Sequence, residues 1–60
     1  MQTLEEELAV IEWRFDQLVR SGYDADGAVA VAAQFDVDLH LAAELVANGC
    51  SPELALRILL

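Results

Sequence analysis

The chain has 60 residues, of which 57% are hydrophobic, and its 11 acidic residues against 3 arginines give a net charge of −8. A chain of this length buries only about 60% of the surface that it exposes when unfolded, so it forms one domain, residues 1–60, of marginal stability. A single cysteine and a single histidine exclude an internal disulfide and a structural zinc site. We therefore expect reinforcement by self-association or by docking on a larger protein.

The acidic surplus also excludes several classes of partner. Phosphate backbones repel such a surface, so we expect no direct nucleic-acid binding. The longest apolar run, residues 28–33, is far too short to cross a bilayer. Glu5, Glu6 and Glu7 stand where a secretory signal needs basic residues, which predicts a cytoplasmic protein. The charge either attracts a basic protein partner or keeps an alanine-rich bundle in solution.

The first helix is predicted over residues 4–20. Thr3 and Glu6 form a capping box at its start, and Gly22 follows its end. Apolar residues recur at alternating steps of four and three, which predicts one buried stripe with Val19 at its edge. The members of this stripe are Leu4, Leu8, Ile11, Phe15 and Leu18.

Trp13 falls nearly opposite that stripe, at about 100° of rotation per residue, and Val10 lies on its flank. Tryptophan is enriched at the centres of protein interfaces. An exposed interface around Trp13 is one prediction. The alternative is that the later helices fold round and cover it.

A short pattern occurs three times after the first helix: an apolar residue, a helix-capping residue, and an alanine four positions after the cap. The three instances are Tyr23-Asp24 with Ala28, Val37-Asp38 with Ala42, and Cys50-Ser51 with Ala55. Each predicts a short helix, over residues 25–35, 39–48 and 52–59. The first of these is apolar on nearly every side, which favours a central position, with Gly27 at a close helix contact.

The predicted fold is therefore all-α, a small four-helix orthogonal bundle with one long N-terminal helix. Residues 18–32 also align with residues 45–59, with Gly22 matching Gly49 and Ala28 matching Ala55. The alignment indicates a helix, glycine turn and helix unit that occurs twice. Duplication and coincidence among alanine-rich helices both explain it.

Residues 18–46 resemble the UBA-like three-helix domains. The resemblance lies in the turn Ser21-Gly22-Tyr23, in Ala28 and Ala32 of the next helix, and in Val37-Asp38 before Ala42 and Leu45. It implies a ubiquitin-binding surface at Gly22, Tyr23, Leu45 and Val46. Ser21 replaces the usual methionine and a fourth helix follows, so the resemblance implies a helical binding module more than ubiquitin as the ligand. The chain also resembles short actinobacterial helical proteins with Glu12 to Phe15 and Gly49-Cys50, which implies a source and no activity.

Residues that carry chemistry are few. Cys50 precedes the start of the last predicted helix, where the dipole favours a thiolate, but a turn thiol packed as a small apolar residue is the favoured interpretation. About three helical turns, on the order of 15 Å, separate Cys50 from His40, which is too far for the two side chains to form a Cys-His nucleophile within one subunit. Asp36, Asp38 and His40 alternate as metal ligands sometimes do, although the glycine and distal glutamate of a calcium loop are missing. We predict no catalytic, metal or cofactor site and no small-molecule substrate.

The predicted function is a small acidic protein–protein interaction module, most simply a homodimer that uses the face of the first helix around Trp13, the C-terminal helix, or both. The predicted interface residues are Val10, Trp13, Gln17, Arg20, Tyr23, Ile58, Leu59 and Leu60. The alternative is an acidic regulator that occupies a basic surface of another protein, as a nucleic-acid mimic does.

Overall fold

The computed structural model describes residues 4–60, and this part of the chain holds four α-helices and no strand. The helices are α1 (Leu4–Ser21), α2 (Ala25–Ala32), α3 (Leu39–Ala47) and α4 (Pro52–Leu59). The predicted all-α fold with a long first helix is confirmed. The predicted cap Thr3 lies outside the described residues. The predicted end of α2 is wrong, because the helix stops at Ala32 and the chain then turns.

The three predicted caps form as the pattern requires. Their side-chain oxygens accept from backbone amides in the first turn, at 2.8 Å for Asp24 with Gly27, 2.9 Å for Asp38 with His40, and 3.2 Å for Ser51 with Leu54. Each alanine four positions after a cap donates its backbone N–H to the carbonyl of that cap. These three alanines, Ala28, Ala42 and Ala55, are fully buried. The recurring pattern therefore marks both where a helix begins and which residue faces the core.

The two glycine turns have the same geometry. Gly22 has φ +122° and Gly49 has φ +96°, a region that side-chain-bearing residues rarely adopt. The next residue closes each turn: the Tyr23 amide donates to the Leu18 carbonyl at 3.1 Å, and the Cys50 amide to the Leu45 carbonyl at 2.9 Å. The two aligned segments thus share a local structure, whatever their origin.

The core is small and consists mainly of alanine. Its buried apolar residues are Leu18, Tyr23, Ala28, Val31, Ala32, Ala42 and Ala55. Gly27 lies against α4, since a Cβ built there would come within 2.9 Å of Leu56 Cδ1. This confirms the predicted close helix contact at Gly27.

Helix α2 has the largest buried share of the four helices, with four of its eight residues buried against one residue in each of the others, in line with the central position expected from its composition. Helices α1 and α4 each pack against both α2 and α3, so α2 and α3 share the middle position. Val29 and Ala30 of α2 are exposed. Small side chains on every face allow a helix to be central, but only the faces that meet neighbouring helices are buried.

The apolar stripe of α1 is buried only at its C-terminal end. Leu18 is fully buried and Phe15 and Ile11 pack against the core, but Leu8 is 50% exposed and Leu4 is 71% exposed. Helix α2 has 8 residues and α1 has 18, or about 12 Å against about 27 Å at 1.5 Å per residue. The prediction that the whole stripe faces the core is therefore wrong, because α2 is too short to cover it.

Candidate interaction surfaces

Arg14 of α1 forms hydrogen bonds to the C-terminal end of α2 and to the turn that follows it. Its Nε donates to the Ala32 carbonyl at 3.2 Å, and its Nη2 to the carbonyls of Val31, Gln34 and Val37 at 3.4, 3.1 and 2.9 Å. The carbonyls at a helix C-terminus lack partners within the helix and carry partial negative charge. The guanidinium therefore satisfies the end of α2 and the turn that follows, and this contact coincides with the early end of the helix.

Sequence reasoning did not identify this role. The one signal in the sequence was the position of Arg14 on the first helix. On a helical projection Arg14 lies about 60° from Ile11, at the edge of the buried stripe and not on the solvent side. The guanidinium carbon also lies 5.9 Å from the centre of the Phe35 ring, within cation–π range. Since four carbonyls already engage the Arg14 side chain, its donors are committed within the fold and are not free to bind a carboxylate of a partner.

The outer face of α1, here called the Trp13 face, consists of Val10, Trp13, Gln17 and Arg20. Trp13 is 58% exposed, and Val10 and Arg20 are also exposed, whereas Gln17 is half-buried. The prediction that Trp13 points away from the core is confirmed. Its role in an interface stays a prediction.

A shallow groove of about 440 Å³ runs between the Trp13 face and the start of α3. From α1 it is lined by Trp13 and Gln17, and from α3 by Leu39, His40 and Ala43. An aromatic side chain beside a groove with both apolar and polar lining is the arrangement found at the centres of many interfaces.

Two pairs of an acidic and a basic side chain lie on and beside this face. Arg20 Nε lies 3.0 Å from Asp16 Oδ2, and His40 Nε2 lies 3.1 Å from Glu44 Oε1, an ion pair when the imidazole is protonated. All four side chains are more than half exposed, so each pair adds little to stability. The Asp16–Arg20 pair therefore gives this face charge of both signs.

Tyr23 does not belong to any exposed surface. It is 3% exposed, and its hydroxyl donates to the Ala42 carbonyl at 2.7 Å. Burial raises the pKa of Tyr23 above its ordinary value, and the nearby Cys50 raises this pKa further. The prediction of Tyr23 as an interface residue is wrong, because the glycine turn directs its ring into the core.

The predicted C-terminal interface residues are divided between surface and core. Ile58 is 58% exposed and Leu60 is also exposed, whereas Leu59 packs against the core. Leu59 and Leu60 line a groove with Val29 and Ala33 of the α2 end. The structure does not bring these residues together with the Trp13 face, because the two sets line different grooves.

A third apolar surface is the uncovered end of the α1 stripe, here called the N-terminal stripe and made of Leu4 and Leu8. Carboxylates flank it. At about 100° per residue Glu5 and Glu12 project along one edge and Glu7 along the other. This surface therefore differs from the Trp13 face in carrying charge of one sign only.

The candidate chemical residues have structural roles. Cys50 is a free, half-buried thiol that packs against the core, and His40 pairs with Glu44. Within residues 4–60, no three histidine, cysteine or acidic side chains are placed to hold a metal ion. Asp38, one member of the alternating acidic set, is engaged as the α3 cap.

The surface implied by the UBA-like resemblance is only partly present. Gly22 and Val46 are adjacent, since a Cβ on Gly22 would lie 3.2 Å from Val46 Cγ1, and Leu45 and Val46 are half-buried. Tyr23, the aromatic member of that set, is buried.

No protein-family model matches the chain, and no curated protein or solved structure is significantly similar to it. In the part of the chain that the structure describes, no helix has the length and apolar character needed to cross a membrane. Function is therefore inferred from the three surfaces described above.

Proposed function

We propose that the protein is a small acidic helical interaction module that self-associates through the Trp13 face. The observation that carries this proposal is the position of Trp13: the largest side chain in the chain lies more than half exposed beside a groove between α1 and α3. Burial of an exposed tryptophan at an interface contributes about 2 kcal/mol or more to binding.

The composition of the core supports association. Among residues 4–60, the largest fully buried side chains are Leu18 and Val31, while Trp13, Ile58 and Leu60 are among the large apolar side chains that are exposed. A domain with so small a core gains little from its own packing. Burial against a second copy would supply apolar contact that the monomer lacks.

Charge favours the Trp13 face over the N-terminal stripe for pairing between identical copies. In a two-fold arrangement each residue meets the same surface of its partner, so a face of one sign repels itself. Two copies of α1 packed antiparallel through Trp13 would place Arg20 of each copy toward the acidic N-terminal half of the other. The Asp16 and Arg20 pair makes this face compatible with such an arrangement.

Light scattering during size-exclusion chromatography tests the proposal, over a concentration series and with three proteins. The wild type should exceed its monomer mass of 6.6 kDa and approach it on dilution. Trp13→Ala should be monomeric at concentrations where the wild type is a dimer. Ile58→Ala is the matched control, since Ile58 is also 58% exposed, and it should dimerise like the wild type.

The outcomes separate the alternatives. Dissociation by Ile58→Ala and not by Trp13→Ala would move the interface to α4 and refute the assignment to Trp13. A wild type that stays monomeric at every concentration would refute self-association. Circular dichroism of each variant verifies that the helices are retained.

A second candidate function is an acidic regulator that occupies a basic surface of another protein. The observation that favours it is the state of the three arginines: Arg14 is bonded to backbone carbonyls, Arg20 is paired with Asp16, and Arg57 is exposed on α4. Against these stand 11 acidic residues. Binding of this type weakens steeply as salt rises, whereas apolar self-association persists or strengthens in high salt.

A further inference from the structure

We propose that the N-terminal stripe, Leu4 and Leu8 at the uncovered end of α1, is the docking site for a basic amphipathic helix of another protein. This inference builds on the second candidate function and is independent of self-association through the Trp13 face. It names the surface at which a basic partner binds and the form that the partner takes.

The first step is that the stripe is an unfinished helix-packing surface. Its C-terminal half packs against the core, with Leu18 buried and Ile11 and Phe15 half-buried. Arg14 marks where α2 ends, and Leu4 lies ten residue steps before Arg14, which is about 15 Å further along α1. A side chain placed on Leu4 and Leu8 would continue the contact that α2 makes further along the same stripe.

The second step concerns the shape of the occupant. Leu4 and Leu8 are four residues apart and continue a stripe whose positions alternate by four and three residues, which is the spacing that packs against a second helix with its side chains interleaved. Two to three turns of partner helix match the length of the uncovered segment. A helix with leucine-like residues at the same spacing is therefore the complementary partner.

The third step concerns charge. Glu5 and Glu12 border the stripe on one edge and Glu7 borders it on the other, and Arg14 is the only basic side chain between residues 4 and 14. Arg14 is occupied by the carbonyls of the α2 end and the following turn. Pairing two copies of this segment would set carboxylate against carboxylate in either direction, which disfavours a homodimer here. Lysine or arginine beside the apolar residues of a different chain would meet each edge with opposite charge.

The test uses the full chain and two synthetic peptides of 14 residues, measured by fluorescence anisotropy. Both peptides carry leucines at the spacing of the stripe; one has lysines along both edges and the other has glutamates. The lysine peptide should bind at low salt, and its affinity should fall as salt is raised. The glutamate peptide should not bind.

Two variants of equal charge distinguish docking on the stripe from general attraction between a cation and an acidic protein. Leu8→Gln should lower the affinity for the lysine peptide by about tenfold, because the substitution removes apolar contact and leaves the charge of the protein unchanged. Leu54→Gln on α4 is the control, since Leu54 is also 50% exposed, and it should bind the peptide like the wild type. Equal binding by wild type and Leu8→Gln would overturn the proposal, as would binding of both peptides alike or of neither.

Light scattering on Leu8→Gln keeps this test separate from the proposed self-association. The variant should retain the mass of the wild type at every concentration. Dissociation by Leu8→Gln would show that the stripe is covered by a second copy, and this would overturn the inference of a basic partner.

Discussion

Replacement of Arg14 by alanine tests the contact that joins α1 to the end of α2. The substitution removes the four hydrogen bonds that the guanidinium donates to the carbonyls of residues 31, 32, 34 and 37. It also removes a positive charge from the C-terminus of α2, where a cation is favourable. The carbonyls of Ala32 and Val37 would then need water or a new backbone turn as their partner.

The magnitude follows from the geometry. Hydrogen bonds to a charged group contribute about 1.5–3 kcal/mol each. One contact is long, at 3.4 Å, and another is solvent-exposed, so we count two full bonds at the low end of that range. The expected loss is about 3 kcal/mol, out of a total of about 3–9 kcal/mol for a domain of this size. Arg14→Ala should therefore retain between about 0 and 6 kcal/mol of unfolding free energy and unfold at a clearly lower urea concentration than the wild type.

Urea denaturation followed by helical circular dichroism measures this loss. Arg20→Ala is the matched control, compared at a dilution at which the wild type is monomeric. In the monomer it removes the same side chain from the same helix but breaks only an exposed ion pair with Asp16, which contributes about 0.5 kcal/mol or less. Arg14→Lys should recover part of the stability, since an ammonium keeps the charge but lacks the planar fork of donors. Equal unfolding free energies for Arg14→Ala and Arg20→Ala would refute the account.

Three further predictions concern the turns and the core. Gly22→Ala should lower the unfolding free energy in urea melts by about 1–2 kcal/mol, and by more than Gly49→Ala does. Both glycines have positive φ, but only at Gly22 would a Cβ crowd a neighbour, Val46 at 3.2 Å. Equal losses for the two variants would contradict this. The unfolding free energy of the wild type should fall as the pH rises through 10, because the unfolded chain ionises at the ordinary tyrosine pKa while burial raises the pKa of folded Tyr23. Tyr23→Phe should lack this part of the fall. Near neutral pH the same substitution should lower the unfolding free energy by about 1 kcal/mol, because the bond to the Ala42 carbonyl is lost. Ala42→Leu should destabilise by about 1–3 kcal/mol, since Ala42 is fully buried, and an unchanged melting temperature would show that the core accommodates the extra volume.

Sequence patterns predicted part of the candidate surface correctly. Helical period alone places Trp13 and Val10 opposite the stripe, and a helix is rigid enough for that direction to hold in the folded protein. The direction of the Tyr23 side chain could not be predicted in this way, because Tyr23 lies in a turn, which has no helical periodicity. Its direction depends on the Leu18 carbonyl that accepts its amide and on the Ala42 carbonyl that accepts its hydroxyl.

The amino-acid sequence by itself determined where the helices begin. A cap such as Asp24 or Ser51 acts on amides no more than three residues away, and a glycine turn such as that at Gly22 closes over the preceding helical turn. These are local interactions, so they can be read from neighbouring residues.

The tertiary structure alone decided where α2 ends and which part of α1 stays uncovered. The carbonyls at the end of α2 are met by Arg14, which lies 17 to 23 residues earlier in the chain. Leu4 and Leu8 have the same spacing as the buried stripe residues and differ from them only in having no helix alongside. Periodicity states which side of a helix is apolar, but burial of that side depends on the length and position of the neighbouring helix.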